Sequence, residues 1–241
     1  MRAVVPAAGD GTRLRPLTED KPKGLVEVAG KPLLTHVFDA LQTLERVTSL
    51  EEIIVVVGYR SDQIRSFYGD SFEGTPLRYV TQERRRGLAH ALLQAEPHIS
   101  DDFVSLNGDN VIRANLADVV VRHRESDADV TTLVERVSRE RATKGAAFEL
   151  DDGDVTGIVE KPAEPPSRLV PRGFYAFSTR IFPACRSIPP SETGEFELTD
   201  AIDLLLNTGR KLETVEMQGW CHNVNAPDDR TTVRQKLSNQ P

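Results

Sequence analysis

Gly9, Gly11 and Thr12 stand directly before a run of cations, Arg13, Arg15, Lys21 and Lys23. Small residues, a hydroxyl and positive charge in that order suit the gripping of phosphate. Uncovered backbone amides in such a stretch cradle an anion, while Pro16 and Pro22 stiffen the loop that carries the cations. The pattern is neither the Rossmann fingerprint, which wants three spaced glycines opening a helix, nor the P-loop, which wants Gly-Lys-Ser/Thr; Pro16 breaks the helix that both require. A second polar turn, Asn107-Gly108-Asp109-Asn110, offers a carboxylate at the end of an apolar run, and taken alone it is good turn chemistry. Glu160-Lys161 in isolation is an ordinary ion pair. Arg84, Arg85 and Arg86 read as a solvated charge run. His90 reads as packed or hydrogen bonded, since a metal site would need partners that the sequence does not offer.

These groups need a frame. Ala3, Val4 and Val5 predict a first strand, and Ala7 to Gly11 are too small and glycine-rich to continue it, which puts the cationic loop at that strand's carboxyl end. Pro32 opens an apolar pattern at Leu33, Leu34, Val37, Phe38, Leu41 and Leu44 that matches one helical face. A strand is expected at Glu52 to Val57, whose continuous Ile-Ile-Val-Val-Val run is the pattern of a strand buried on both faces of a parallel sheet. Helices are expected at Ser61 to Phe67 and Leu88 to Ala95, and strands at Leu77 to Val80 and Phe103 to Leu106. This alternation predicts a doubly wound, mostly parallel, Rossmann-like α/β sheet whose ligand crevice lies beyond the carboxyl ends of its strands. In the less regular second half, strands are expected at Val130 to Val134 and Gly173 to Phe177, a hairpin at Phe148 to Val159, and a helix at Leu198 to Leu206 capped by Gly209.

With 241 residues, 39% hydrophobic and 28% charged, the chain has the composition of a soluble globule, and no strong boundary divides it, so a single domain over residues 1–241 is expected. No apolar run approaches the roughly 20 residues that span a bilayer, and Met1 leads straight into a strand, so the chain is expected to act in the cytoplasm away from membranes. Cys185 and Cys221 alone make neither a disulfide framework nor a cysteine-based zinc site. A net charge of −7 disfavours a nucleic-acid surface, so small phosphorylated ligands are expected in a local cationic pocket.

The stretch Ala7 to Lys23, AAGDGTRLRPLTEDKPK, resembles the signature of the sugar-phosphate nucleotidyltransferases: Gly-x-Gly-Thr-Arg, then Pro-x-Thr, then Pro-Lys. Gln82 with Gly87 to Ala91, Leu106 to Asn110, Glu160-Lys161-Pro162, Gly173 to Tyr175 and Gly194 to Asp200 follow in that family's order, so the resemblance covers almost the whole chain. Within the family the chain is most similar to archaeal glucose-1-phosphate uridylyltransferases and to glucose-1-phosphate thymidylyltransferases. The resemblance implies Mg²⁺-dependent transfer from UTP or dTTP to a sugar 1-phosphate, glucose 1-phosphate foremost, with release of pyrophosphate. A nucleotide-binding half over about 1–110 and a sugar-binding half over about 111–241 follow.

By the same resemblance Ala8, Gly9, Gly11, Thr12 and Arg13 grip the triphosphate, Gln82 and Gly87 meet the base, and Lys23 bridges both substrates at the reacting phosphate. Gly145, Glu160, Lys161 and Tyr175 correspond to the sugar-phosphate site, with the aromatic side chain at Tyr175 also suited to the core. Glu195 and Glu197 are assigned supporting roles. Asp109 corresponds to one Mg²⁺ ligand, and the count back from Pro227 puts Asn223 where a second, charged ligand is expected, with Asn225 as its rival. Lys144 stands where a tyrosine is frequent. These two departures leave a second reading, a regulatory or ligand-sensing subunit of the same fold without turnover. The oligomeric state is left open, a homo-oligomer included.

Overall fold

The continuous Ile53 to Val57 run becomes the inner strand of an eight-stranded sheet because its side chains find apolar partners on both sides. In the computed structural model, which describes residues 1–238, Ile54 and Val56 face one core cluster while Ile53, Val55 and Val57 face the other. Neighbouring β1 (Arg2–Pro6) alternates likewise, Val4 to one side and Ala3 and Val5 to the other. Alternation with apolar layers on both faces is what erases the polar half of the period-2 pattern.

The chain continues from β1 into a short hairpin, β2 (Glu27–Val28) and β3 (Lys31–Pro32), then α1 (Leu33–Gln42), β4 (Glu52–Val57), α2 (Ser61–Tyr68), β5 (Ser71–Phe72), β6 (Thr75–Thr81), α3 (Leu88–Ala95) and β7 (Phe103–Leu106). Next come β8 (Asn110–Ala114), α4 (Leu116–Glu125), β9 (Val130–Arg136), α5 (Arg139–Ala142), the hairpin β10 (Ala147–Asp151) and β11 (Asp154–Val159), and β12 (Leu169–Phe177). The last elements are α6 (Ile181–Ser187), α7 (Leu198–Asn207), β13 (Leu212–Glu216), β14 (Gly219–Asn223) and α8 (Asp229–Ser238). Sheet order is β13-β9-β12-β7-β1-β4-β6-β5. α3, α6 and α7 supply residues to one core cluster, and α1, α2 and α4 to the other, so helices cover both faces as the doubly wound reading requires. Gly209, in the left-handed region at φ +77, ends α7, with its N–H on Leu206 O and that of Arg210 on Leu205 O.

The sheet departs from uniform direction at β12, which runs antiparallel to both β7 and β9. The sequence of Gly173 to Phe177 carries no signal of direction, because strand polarity is set by the connection and not by the side chains. β1, β4, β6 and β7 are mutually parallel, so their carboxyl ends share one edge. The opening loop, Gln82 and the Asn107 to Asp109 turn all emerge there. β8 and β14, absent from the sequence reading, pair antiparallel with Asn223 opposite Asn110 and carry the last part of the chain to the same edge. Among the described residues no helix is long and apolar enough to cross a membrane.

Candidate active site

Three cavities run along that edge, of about 530, 230 and 440 Å³, and Leu88 at the head of α3 lines all three. Ala8, Gly9, Gln82 and Gly87 line the first, Gly9, Lys23 and Asp109 the second, and Gly145, Glu160, Tyr175 and Asn223 the third. Lys161 apart, the residues expected to meet a base, a reacting phosphate and a sugar thus fall into three adjoining spaces in that order.

The opening loop is closed by its own side chains. Gly11 sits in the left-handed region at φ +62, and Thr18 Oγ1 donates to its carbonyl at 2.7 Å. A Cβ on Gly11 would lie 2.9 Å from Thr18 Cγ2 and 3.0 Å from Lys23 Cβ, so the glycine lets the loop fold onto the stem of Lys23. Gly9 by contrast has open space on its Cβ side. Buried Leu14 anchors the following 3-10 turn, which leaves Thr12 and Arg13 exposed beside the loop.

Lys23 Nζ donates to Asp109 Oδ2 at 3.0 Å and to Asn225 Oδ1 at 2.8 Å. Asp109 reaches this point from the turn after β7, and Val224 N–H bonds to Asp109 O at 2.8 Å, which ties the segment after β14 to that turn. Asp229 shapes the segment that presents Asn225: its Oδ2 accepts from the N–H groups of Asn225 and Ala226 at 2.8 and 2.7 Å, and its Oδ1 lies 2.8 Å from His222 Nε2. Burial alone would raise the Asp229 carboxyl, but these bonds hold it below the usual carboxylate range. Lys23 thus joins Asp109 to Asn225, the rival candidate, while Asn223 and Asn225 both line the third cavity. Two hard oxygens, a carboxylate and an amide, already converge on one cation. That donor set fits Mg²⁺ completed by water and phosphate oxygens.

In the third cavity Thr199 Oγ1 donates to Glu160 Oε2 at 2.8 Å; Lys161, which does not line that cavity, lies outside it with its Nζ 3.1 Å from Glu160 Oε1. Lys161 N–H bonds to Gly145 O at 3.1 Å, locking the two sequence-distant segments together. Burial opposes the charge on Lys161, yet the bond to Glu160 and the fields of Glu197 and Glu195 raise its pKa on balance. Burial and repulsion from Glu160 raise that of Glu197. Tyr175 is buried in the core, stacked on Phe177 with centroids 5.2 Å apart, and also lines the third cavity.

Gln82 is 4% exposed and its amide nitrogen contacts Gly87 O and His90 Nδ1 at 3.2 and 2.8 Å, which bears out the hydrogen-bonded reading of His90. Gly87 is required by a neighbour within the fold: a Cβ there would lie 2.5 Å from the carbonyl oxygen of Phe196. The arginine run departs from a plain solvated face. Arg84 and Arg85 line the first cavity, Arg85 is ion-paired with Asp10, and Arg86 lies over the Phe196 ring at 4.7 Å. Proximity to Asp10 across the chain left no mark in the run itself. Two further residues were missed. Asp229 had a local signal, an acid at the start of a helix, while Thr199 is brought to Glu160 only by the docking of α7.

Against known proteins, the sequence profile described as Nucleotidyl transferase matches residues 2–229. The UTP--glucose-1-phosphate uridylyltransferase AglF of Haloferax volcanii is 49% identical over 241 residues, covering 100% of this chain and 98% of AglF. A glucose-1-phosphate thymidylyltransferase of Streptomyces griseus is 37% identical over 222 residues, covering 91% of this chain and 61% of that enzyme. The fold is similar to that of a UDP-glucose pyrophosphorylase complexed with UDP-glucose, at a TM-score of 0.88 and 21% identity, with 100% and 99% of the two chains covered.

Proposed function

Since the chain belongs to the nucleotidyl transferase family, we propose that it transfers a nucleotidyl group from UTP or dTTP to the phosphate oxygen of glucose 1-phosphate, forming a nucleotide sugar and pyrophosphate. The observation that carries this reading is the position of Lys23, which lines the central cavity between the Gln82 and Glu160 cavities. UTP is the first donor to test, because the name of the Haloferax relative specifies it.

In this reading a phosphate oxygen of the sugar 1-phosphate attacks the α-phosphorus of the triphosphate in line, and the bond to the pyrophosphate oxygen breaks. The uncovered loop around Gly9 and the exposed Arg13 receive the triphosphate. Glu160, held by Thr199, accepts from sugar hydroxyls, and Lys161 offsets the charge of the sugar phosphate. Lys23 holds donor and acceptor phosphates together and offsets the charge that builds between them, so catalysis is mostly positioning and electrostatic stabilisation. Asp109 and Asn225 would hold Mg²⁺, which supplies further neutralisation of phosphate charge when bound.

Incubation of the purified chain with Mg²⁺ and a panel of triphosphates and sugar 1-phosphates, with pyrophosphate as the readout, tests the proposal. Release with UTP or dTTP and glucose 1-phosphate is expected. A folded, metal-replete protein that releases none with any pair would overturn it in favour of a binding subunit.

A further inference from the structure

The carbonyl of Gly87 can only accept, so the Gln82 atom 3.2 Å from it is the amide nitrogen. The same nitrogen lies 2.8 Å from His90 Nδ1, so that ring nitrogen carries no proton and accepts the second amide hydrogen. Burial and the nearby Arg86 lower the pKa of His90, which favours the neutral ring that this bond needs. Both donor hydrogens of Gln82 are thereby used within the protein. Its carbonyl oxygen Oε1 accepts nothing among the described residues, and Gln82 lines the first cavity.

We propose that His90 is a positioning residue for base selection: with Gly87 it fixes the Gln82 amide so that only the carbonyl oxygen faces the base. An acceptor held opposite N3 selects a base that donates there. Uracil and thymine present N3–H. Opposite the same oxygen cytosine presents an unprotonated N3 whose lone pair meets that of Oε1, and its N4 amino group could take the bond only if the base shifted along its edge; a Gln82 free to turn its amide could satisfy either base unshifted. The His90 contact removes that freedom, so discrimination against cytidine triphosphate arises one residue behind the one that touches the base.

This inference rests on the proposed nucleotide site, and the experiment separates the two. Calorimetric affinities for UTP and CTP are measured for the wild-type protein and for His90→Leu and His90→Asn, with thermal melting to confirm folding. The Asn amide oxygen can stand near the Nδ1 position as an acceptor. The wild-type preference for UTP is expected to fall about tenfold or more in His90→Leu and to return in His90→Asn. A change in overall affinity with an unchanged ratio would mean that His90 only packs, and a ratio lowered equally in both variants would also overturn the inference. Wild-type protein that binds neither nucleotide would instead defeat the proposed site itself. Should His90→Leu fail to fold, the ratio in His90→Asn against His90→Gln, which places its acceptor one methylene further out, decides the same point: equal ratios would overturn it.

Discussion

Lys23 and Asn225, 202 residues apart, meet at 2.8 Å, and the same ammonium stands 3.0 Å from Asp109. One side chain thus holds together the opening loop, the turn after β7 and the segment after β14. The ammonium occupies the point on which the Asp109 and Asn225 side-chain oxygens converge, so a divalent cation held by the same pair would compete with the lysine for both.

Lys23→Met is therefore expected to act in opposite directions on two measurements. Turnover should fall by about 10²-fold or more, the scale for loss of one charge-stabilising donor. Mg²⁺ binding to the substrate-free protein, followed by calorimetry, should tighten. An unchanged Mg²⁺ midpoint would show that the ammonium and the metal do not share a place.

Asn225→Asp adds the missing negative charge beside Asp109 and should shift the Mg²⁺ titration midpoint to lower concentration by about tenfold, an opposite charge in close contact being worth at least about 1 kcal/mol. Asn223→Asp, at a residue that lines the same cavity as Asn225 but makes no bond to Lys23, should leave that midpoint unchanged and raise KM for the sugar 1-phosphate. The reverse pattern would return the ligand role to Asn223.

Asp229→Ala removes the acceptor for two backbone N–H groups and His222, and should cost about 1–3 kcal/mol of stability at neutral pH. Because the folded state holds this carboxyl below its unfolded value, its contribution is present above the unfolded pKa and is lost as pH falls through the folded pKa. Urea denaturation at neutral and at strongly acid pH should show the gap between wild type and variant closing on the acid side. A constant gap would assign the effect to packing.

Thr199→Val leaves Glu160 without its hydroxyl donor and should raise KM for glucose 1-phosphate about tenfold, with KM for the triphosphate little changed. Equal effects on both substrates would remove Thr199 from the acceptor site.

The nucleotide side of this arrangement was legible because it is local. Ile53 to Val57 announced a doubly buried strand by composition, and the loop from Gly9 to Lys23 carried its glycines, prolines and cations in one stretch. The helix Leu88–Ala95 and the strand Phe103–Leu106 formed where their patterns placed them. The residues that complete the site were harder to read because their meaning is in pairing across the chain. Counting from Pro227 put Asn223 in the ligand position. The Asp229 bonds and the Val224 bond to Asp109, which bring Asn225 against Lys23, have no counterpart in that count. Neither the direction of β12 nor the approach of Arg85 to Asp10 has a one-dimensional signature.

Isotope tracing reaches the central claim most directly. Glucose 1-phosphate carrying ¹⁸O in its non-bridging phosphate oxygens is incubated with unlabelled UTP, Mg²⁺ and the protein, and both products are weighed by mass spectrometry. Attack by the sugar phosphate on the α-phosphorus predicts UDP-glucose that retains all of the label and pyrophosphate that carries none. Label in the pyrophosphate, or no nucleotide sugar from folded protein with either UTP or dTTP, would contradict it.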